Sequence, residues 1–193
     1  MNKLFFVILS LLSLNSCQPT SRIYRENDKG KVTIGKLPEE AVAIIKQHLF
    51  NITKQELKDT ILIKYEYNNE TCWSISDMIY KDSVIESMIK SRITYHQTQL
   101  LKRHQVSYYH FRQPGNSFNK LVGKDKNILI DKDLVLNKLL FSEITTCGSS
   151  IIIMPDGYFI LTKSDSHQQF LSYSSATINK MLSDFNKKKQ KAL

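Results

Sequence analysis

The sequence predicts an α/β fold with a mixed sheet arranged as a three-layer sandwich, and three features predict it. Strand-like and helix-like segments alternate along the chain, a plain hairpin comes late, and an amphipathic helix follows that hairpin. In order, Pro38, the acids Glu39 and Glu40, and apolar residues at Ala41, Val42, Ile44, Ile45 and Leu49 read as a helix with proline at its first position. Thr60–Tyr67, rich in β-branched and aromatic residues, reads as a buried strand, and Asn68–Thr71 as a turn. Ser74–Ile89 carries a helical apolar stripe, with the continuation to Arg103 left open. Val106–Phe111 is a second central strand, Asn127–Asp131 a short one, and Asp133–Phe141 a helix with Asp133 as its cap. Ser150–Met154 and Tyr158–Thr162 flank the turn Pro155-Asp156-Gly157 as a hairpin, and Ser175–Phe185 closes the domain with Ile178, Met181, Leu182 and Phe185 on one face.

Composition agrees with one folded domain. The chain has 193 residues, 41% of them hydrophobic, with 9 Tyr and 9 Phe against 6 Gly and 4 Pro, which excludes collagen-like and low-complexity classes. Three cysteines are too few for a disulfide-dense scaffold. The net charge of +9 is concentrated at the end, where residues 186–193 hold four lysines. A cationic helix terminus explains that run, and attraction to an anionic membrane surface is the sharper alternative. Nucleic acid is not an expected partner, because no basic and aromatic stripe is present.

The N-terminus carries an address. Lys3 precedes an apolar run of 11 residues, Leu4–Leu14, too short for a membrane span of about 20 residues and suited to a secretory signal. Its end, Leu14-Asn15-Ser16-Cys17, resembles the bacterial lipobox. The resemblance implies cleavage before Cys17, with diacylglycerol on its sulfur and a third acyl chain on its amine, an anchor of several chains that holds stably. Gln18 in place of the inner-membrane retention aspartate implies the outer membrane. The expected organisation is a signal peptide over 1–16, a lipidated N-terminus and tether over 17–36, a domain over 37–185 and a basic tail over 186–193. Within the tether, Lys31–Ile34 also reads as a short first strand.

The order of strand, cysteine turn, helix, strand, hairpin and helix resembles the thioredoxin fold, in the branch of exported thiol-disulfide oxidoreductases. Three segments carry the resemblance: Thr60–Tyr67 running into Cys72, Ile128–Asp131 with the helix after it, and Cys147-Gly148-Ser149 leading into the strand and Asp156-Gly157 turn. The family's Cys-x-x-Cys stands here as Cys72-Trp73-Ser74-Ile75, and its cis-proline position holds Gly148 or Ser149. The resemblance implies a thioredoxin-like sandwich with Cys72 as nucleophile, and it places Cys147 against the active-site turn. With Cys17 lipidated, Cys72 and Cys147 remain in an oxidising compartment. A structural disulfide, a redox-active one and two separate thiols are the three open states of that pair.

Other chemistries find little support. The five histidines, His48, His96, His104, His110 and His167, never fall at the spacing that puts two ligands on one helix face, so neither a metal nor a cofactor is expected. No P-loop, G-x-G-x-x-G or G-x-S-x-G occurs. Trp73 and the cluster Tyr108, Tyr109, Phe111 are expected to pack rather than to bind. The sequence therefore leads to an envelope lipoprotein with a thioredoxin-like domain, a degenerate thiol-disulfide oxidoreductase acting through Cys72 and Cys147. The alternative is a non-catalytic lipoprotein that binds a protein or peptide as a scaffold or in self-protection.

Overall fold

The computed structural model describes residues 31–190 except Thr71, Trp73, His104 and Ser166, so the leader, Cys17, residues 18–30 and Trp73 lie outside the described residues. Six strands form one sheet in the order β1-β6-β5-β2-β3-β4: β1 (Val32–Lys36), β2 (Thr60–Glu66), β3 (Val106–Arg112), β4 (Leu129–Ile130), β5 (Ser149–Ile153) and β6 (Tyr158–Lys163). The central strands β2 and β3 run parallel, and β4 continues parallel to β3. The β5–β6 hairpin and β1 add antiparallel pairs on the other side of β2. Around this mixed sheet lie α1 (Glu39–Thr53), α2 (Ser74–Ile79), α3 (Asp82–Leu101), α4 (Lys120–Lys124), α5 (Val135–Leu140), a 3-10 helix (Gln169–Ser172) and α6 (Ser175–Gln190).

The two faces of the sheet follow from the two-residue period of a strand. Ile61, Ile63 and Tyr65 of β2, Tyr109 and Phe111 of β3, and Ile151 and Ile153 of β5 pack against Ile45 and Leu49 of α1 and Leu136 of α5. On the opposite face Leu62, Ile152 and Ile160 meet Phe170 and Leu171 of the 3-10 helix and Ile178, Met181 and Leu182 of α6. The α3 helix lies on this second face too, with the His96 ring edge-on to Tyr108 at 4.9 Å. Helices on both faces make the three-layer α/β sandwich that the alternating sequence predicts.

Several boundaries differ from the sequence reading. Val32–Lys36 is an edge strand paired to Tyr158–Thr162, so the sheet begins inside the stretch expected as tether, and its Lys31–Ile34 strand reading is the one realised. The hairpin's Gly157 ties this edge down, its carbonyl accepting from Leu37 N at 3.0 Å. The helix expected over 74–89 is two helices that break at Tyr80-Lys81, the second of which runs on to Leu101. The last helix continues through five residues past Phe185, to Gln190, so most of the lysine run is helical. Among the described residues no helix is long and apolar enough to cross a membrane.

The cap of α5 also moved. Asp131, not Asp133, accepts from Val135 N (3.0 Å) and Asn137 N (2.9 Å), and its carboxylate accepts from the Tyr65 hydroxyl (3.0 Å) while being fully buried. An acid two residues earlier reaches the helix start because Leu134 turns the chain through the left-handed region at φ 56°. Asp131→Ala leaves a buried hydroxyl and two amides without an acceptor, so it is expected to lower stability by roughly 3 kcal/mol. Urea unfolding checks this as a lower midpoint at an unchanged slope.

Candidate functional site: a disulfide at the polar end of the sheet

Both cysteines arrive at the same edge of the sheet by topology. Cys72 follows the C-terminal end of β2, and Cys147 precedes β5, which is antiparallel to β2 with Tyr65 opposite Ser149. Their Cα atoms are 4.7 Å apart and they form a disulfide that closes a separation of 75 residues. Loops at the carboxyl ends of parallel strands are the usual place for ligand and active sites in such sheets.

The two cysteines are held differently. Cys72 is 5% exposed and its carbonyl accepts from the Asn119 side chain at 2.9 Å, while Cys147 is half-buried. Cys147 and Gly148 take successive left-handed conformations at φ 65° and 67°. Only the second needs glycine for space as well. A Cβ at Gly148 would strike the Tyr65 carbonyl oxygen and approach Lys64 Nζ to 2.7 Å. The chain therefore crosses β2 with no side chain between, and that close approach brings the Cys147 carbonyl onto Lys64.

Lys64 stands in the middle of a central strand and is 1% exposed. Its ammonium donates to the Cys147 carbonyl (2.6 Å) and the Asp165 carbonyl (3.0 Å), and lies 3.8 Å from Glu66 Oε1. Glu66 also accepts from His110 Nε2 at 2.9 Å. Register explains the company. His110, Lys64, Ser150 and Thr162 are direct partners across β3, β2, β5 and β6, forming one buried polar row. One step toward the other end of the strands the same face carries the apolar row Tyr108, Leu62, Ile152 and Ile160. This face is thus split into an apolar half under α6 and a polar half beside the disulfide.

The polar half controls its own protonation. Burial alone would raise the Glu66 carboxyl, but the charge of Lys64 and the His110 hydrogen bond outweigh it and hold it below the usual carboxylate range. Burial drives His110 down, against the pull of Glu66, which favours neutral imidazole donating to a carboxylate. Glu70 behaves oppositely. Burial and then the repulsion of Glu66 raise its carboxyl to about 7, although it accepts a hydrogen bond from the Cys147 amide.

A pocket of about 170 Å³ opens on this end and is lined by Glu66, Glu70, Cys72, Cys147, Arg92 and His96, among others. Arg92, from α3, is fixed by Asp125 at 2.5 Å. His96 Nε2 has no hydrogen-bond partner although the residue is 8% exposed, and Oε1 of neighbouring Gln168 is equally orphaned.

The structure brings together the two cysteines singled out in the sequence and joins them, while the lipid-attachment position Cys17 lies outside the described residues. Sequence reasoning missed Lys64, Glu66, Glu70, Arg92 and His96. Their signal was present in part: two ionisable residues inside Thr60–Tyr67 break the pattern of an otherwise apolar strand. No protein-family model matches the chain, and neither the curated proteins nor the solved structures give a significant match.

Gly148→Ala meets both a strained φ and backbone atoms that cannot move aside, so it is expected to cost about 2 kcal/mol or more, read by thermal or urea unfolding. His96 supplies a pH test. Burial, reinforced by the adjacent His110 and the charge of Arg92, lowers its imidazole to about 4, with Asp125 opposing. Between its ordinary value near 6.5 and 4, the unfolded chain takes up a proton that the folded chain refuses, so this group removes stability as pH falls through that window. Glu70 acts with the opposite sign, losing stability as pH rises toward 7. The His96 share is therefore read as the difference in unfolding free energy between the parent and His96→Gln, which should change by up to roughly 3 kcal/mol from pH 7 to pH 4. An NMR titration of the imidazole should place its midpoint near 4.

Proposed function

We propose that this chain is a bacterial envelope lipoprotein, anchored at the outer membrane through lipidated Cys17, whose thioredoxin-like domain performs thiol–disulfide exchange at Cys72–Cys147. The strand order β6-β5-β2-β3, with β2 central and a cysteine at its carboxyl end, supports the thioredoxin-like reading. One observation carries the exchange reading above all: the disulfide lines an open pocket shared with Glu66, Glu70 and Arg92 instead of being sealed in an apolar core.

The asymmetry of the two cysteines gives the step a direction. A thiolate of a dithiol substrate approaches Cys147, the more exposed of the pair, and attacks its sulfur, so Cys147 takes the role that the resemblance gives to Cys72. The new S–S bond forms as the Cys72–Cys147 bond breaks, and the electron pair of the broken bond leaves on Cys72 as a thiolate, which takes up a proton from solvent. The second thiol of the substrate then displaces Cys147 from the mixed disulfide. The substrate leaves oxidised and the protein holds two thiols. Ile75, where the family has its second cysteine, makes Cys147 the necessary partner for Cys72.

The same Ile75 supports the second reading, a non-catalytic lipoprotein that binds a protein or peptide and uses the disulfide for stability alone. Equilibration of the folded protein in glutathione buffers separates the two. Exchange chemistry predicts reversible, single-step interconversion of disulfide and dithiol with the fold retained by far-UV circular dichroism. It also predicts that Cys147→Ser abolishes turnover of a dithiol peptide while the variant stays folded. A bridge that opens only on unfolding assigns the protein to the binding class, with a stability loss of roughly 4 kcal/mol on removing a loop constraint of this length.

A further inference from the structure

The reduced form of this site has a second use for its sulfurs. Glu70, Cys72 and Cys147 each offer one ligand atom, these atoms all lie within 4.8 Å of one another, and all three residues line the pocket. Two thiolates and a carboxylate form a donor set suited to a borderline-soft divalent ion of the zinc class. With metal–sulfur bonds of about 2.3 Å, a tetrahedral ion needs its ligand atoms only about 3.5–3.8 Å apart. The Glu70 carboxylate lies within 4.8 Å of both sulfurs, so it has to close by no more than about 1 Å. The sulfurs need to part by roughly 2 Å after reduction, which side-chain rotation at the half-buried Cys147 can supply.

The surroundings suit an ion held by three anionic ligands. Lys64 donates to the carbonyl of Cys147 itself at 2.6 Å and Arg92 lines the same pocket, each already paired with a carboxylate, Glu66 and Asp125, so the two cations offset the negative charge of the loaded cluster in part. The backbone around the cluster is fixed by its own bonds, through Asn119 to the Cys72 carbonyl and through the Cys147 amide to Glu70. Three protein ligands leave a fourth tetrahedral position for water or an exchangeable ligand, and all three residues line the pocket.

We infer that the dithiol form binds one zinc-class divalent cation through Cys72, Cys147 and Glu70, and that the disulfide form does not. The inference rests on the exchange reading for its reduced state, which a dithiol or phosphine reductant supplies by taking up the disulfide's oxidising equivalents. Metal and disulfide are then mutually exclusive occupants of the same sulfurs, and the ion stabilises the reduced protein by mass action.

The test is a cobalt titration of the folded protein reduced with a phosphine under anaerobic conditions, with thiols counted first. The expected result is one cobalt per chain, thiolate-to-metal charge-transfer absorption, the visible bands of tetrahedral cobalt, and their displacement by zinc. Oxidised protein should show none of these, and the double variant Cys72→Ser, Cys147→Ser should lose them. Glu70→Gln should keep the charge-transfer band with affinity lower by at least about tenfold. Two free thiols with no stoichiometric cobalt spectrum overturn the metal site and leave the exchange reading standing. A disulfide that resists reduction until the protein unfolds overturns both. If folded Glu70→Gln binds as tightly as the parent, the three-ligand assignment is overturned.

Discussion

The arrangement depends on one buried ammonium. Lys64 sits at the centre of the sheet and holds two loops by their carbonyls, that of Cys147 before β5 and that of Asp165 after β6. A charge in such a place is costly unless every donor is used and a counter-charge is near. Glu66 supplies the counter-charge and is itself held by His110, so the three side chains form one unit that cannot be dismantled singly. Removing Lys64 would leave a buried carboxylate and two carbonyls uncompensated. The loop that presents Cys147 is thereby fixed from below by the strand that leads to Cys72.

Glycine at 148 is the complement of that lysine. The ammonium can reach the Cys147 carbonyl only if the chain passes close over β2, and the absent side chain at the next residue permits it. The strained conformation at Cys147 follows from the same crossing and is balanced by bonds to its amide and its carbonyl. Backbone strain of this kind persists where neighbouring contacts over-determine it. The disulfide thus joins two segments already held together, and its sulfurs can part without releasing the loop.

How far this was legible in the sequence differs by element. Strands rich in β-branched and aromatic residues, such as Thr60–Tyr67 and Ser150–Met154, announce themselves through local propensity, and the Pro155-Asp156-Gly157 hairpin does so through turn chemistry. The break at Tyr80-Lys81 does not, because apolar residues continue through it: Met78, Ile79 and Tyr80 are exposed, and their periodicity carries no burial. The cap on α5 was misplaced because Asp131 reaches the helix only by a left-handed turn at a leucine, a residue that does not advertise one. The cysteine pair was legible through parity and resemblance. Its polar support was not, because the partnership of Lys64 with Asp165 spans 101 positions and depends on register across three strands.

That failure is itself informative. Local rules place apolar residues on both faces of a central strand, and β2 obeys them at Ile61, Leu62 and Ile63 before departing at Lys64 and Glu66. Breaches of patterning in a folded chain concentrate where function outweighs stability. A disulfide serving stability alone has no need of a polar floor, since an apolar pair at 64 and 66 would pack as well and avoid the desolvation cost. A cluster whose sulfur passes through a thiolate when the disulfide opens would gain from fixed dipoles and a cation beneath it. The same two positions that spoil the strand pattern therefore argue for chemistry at the cysteines above them.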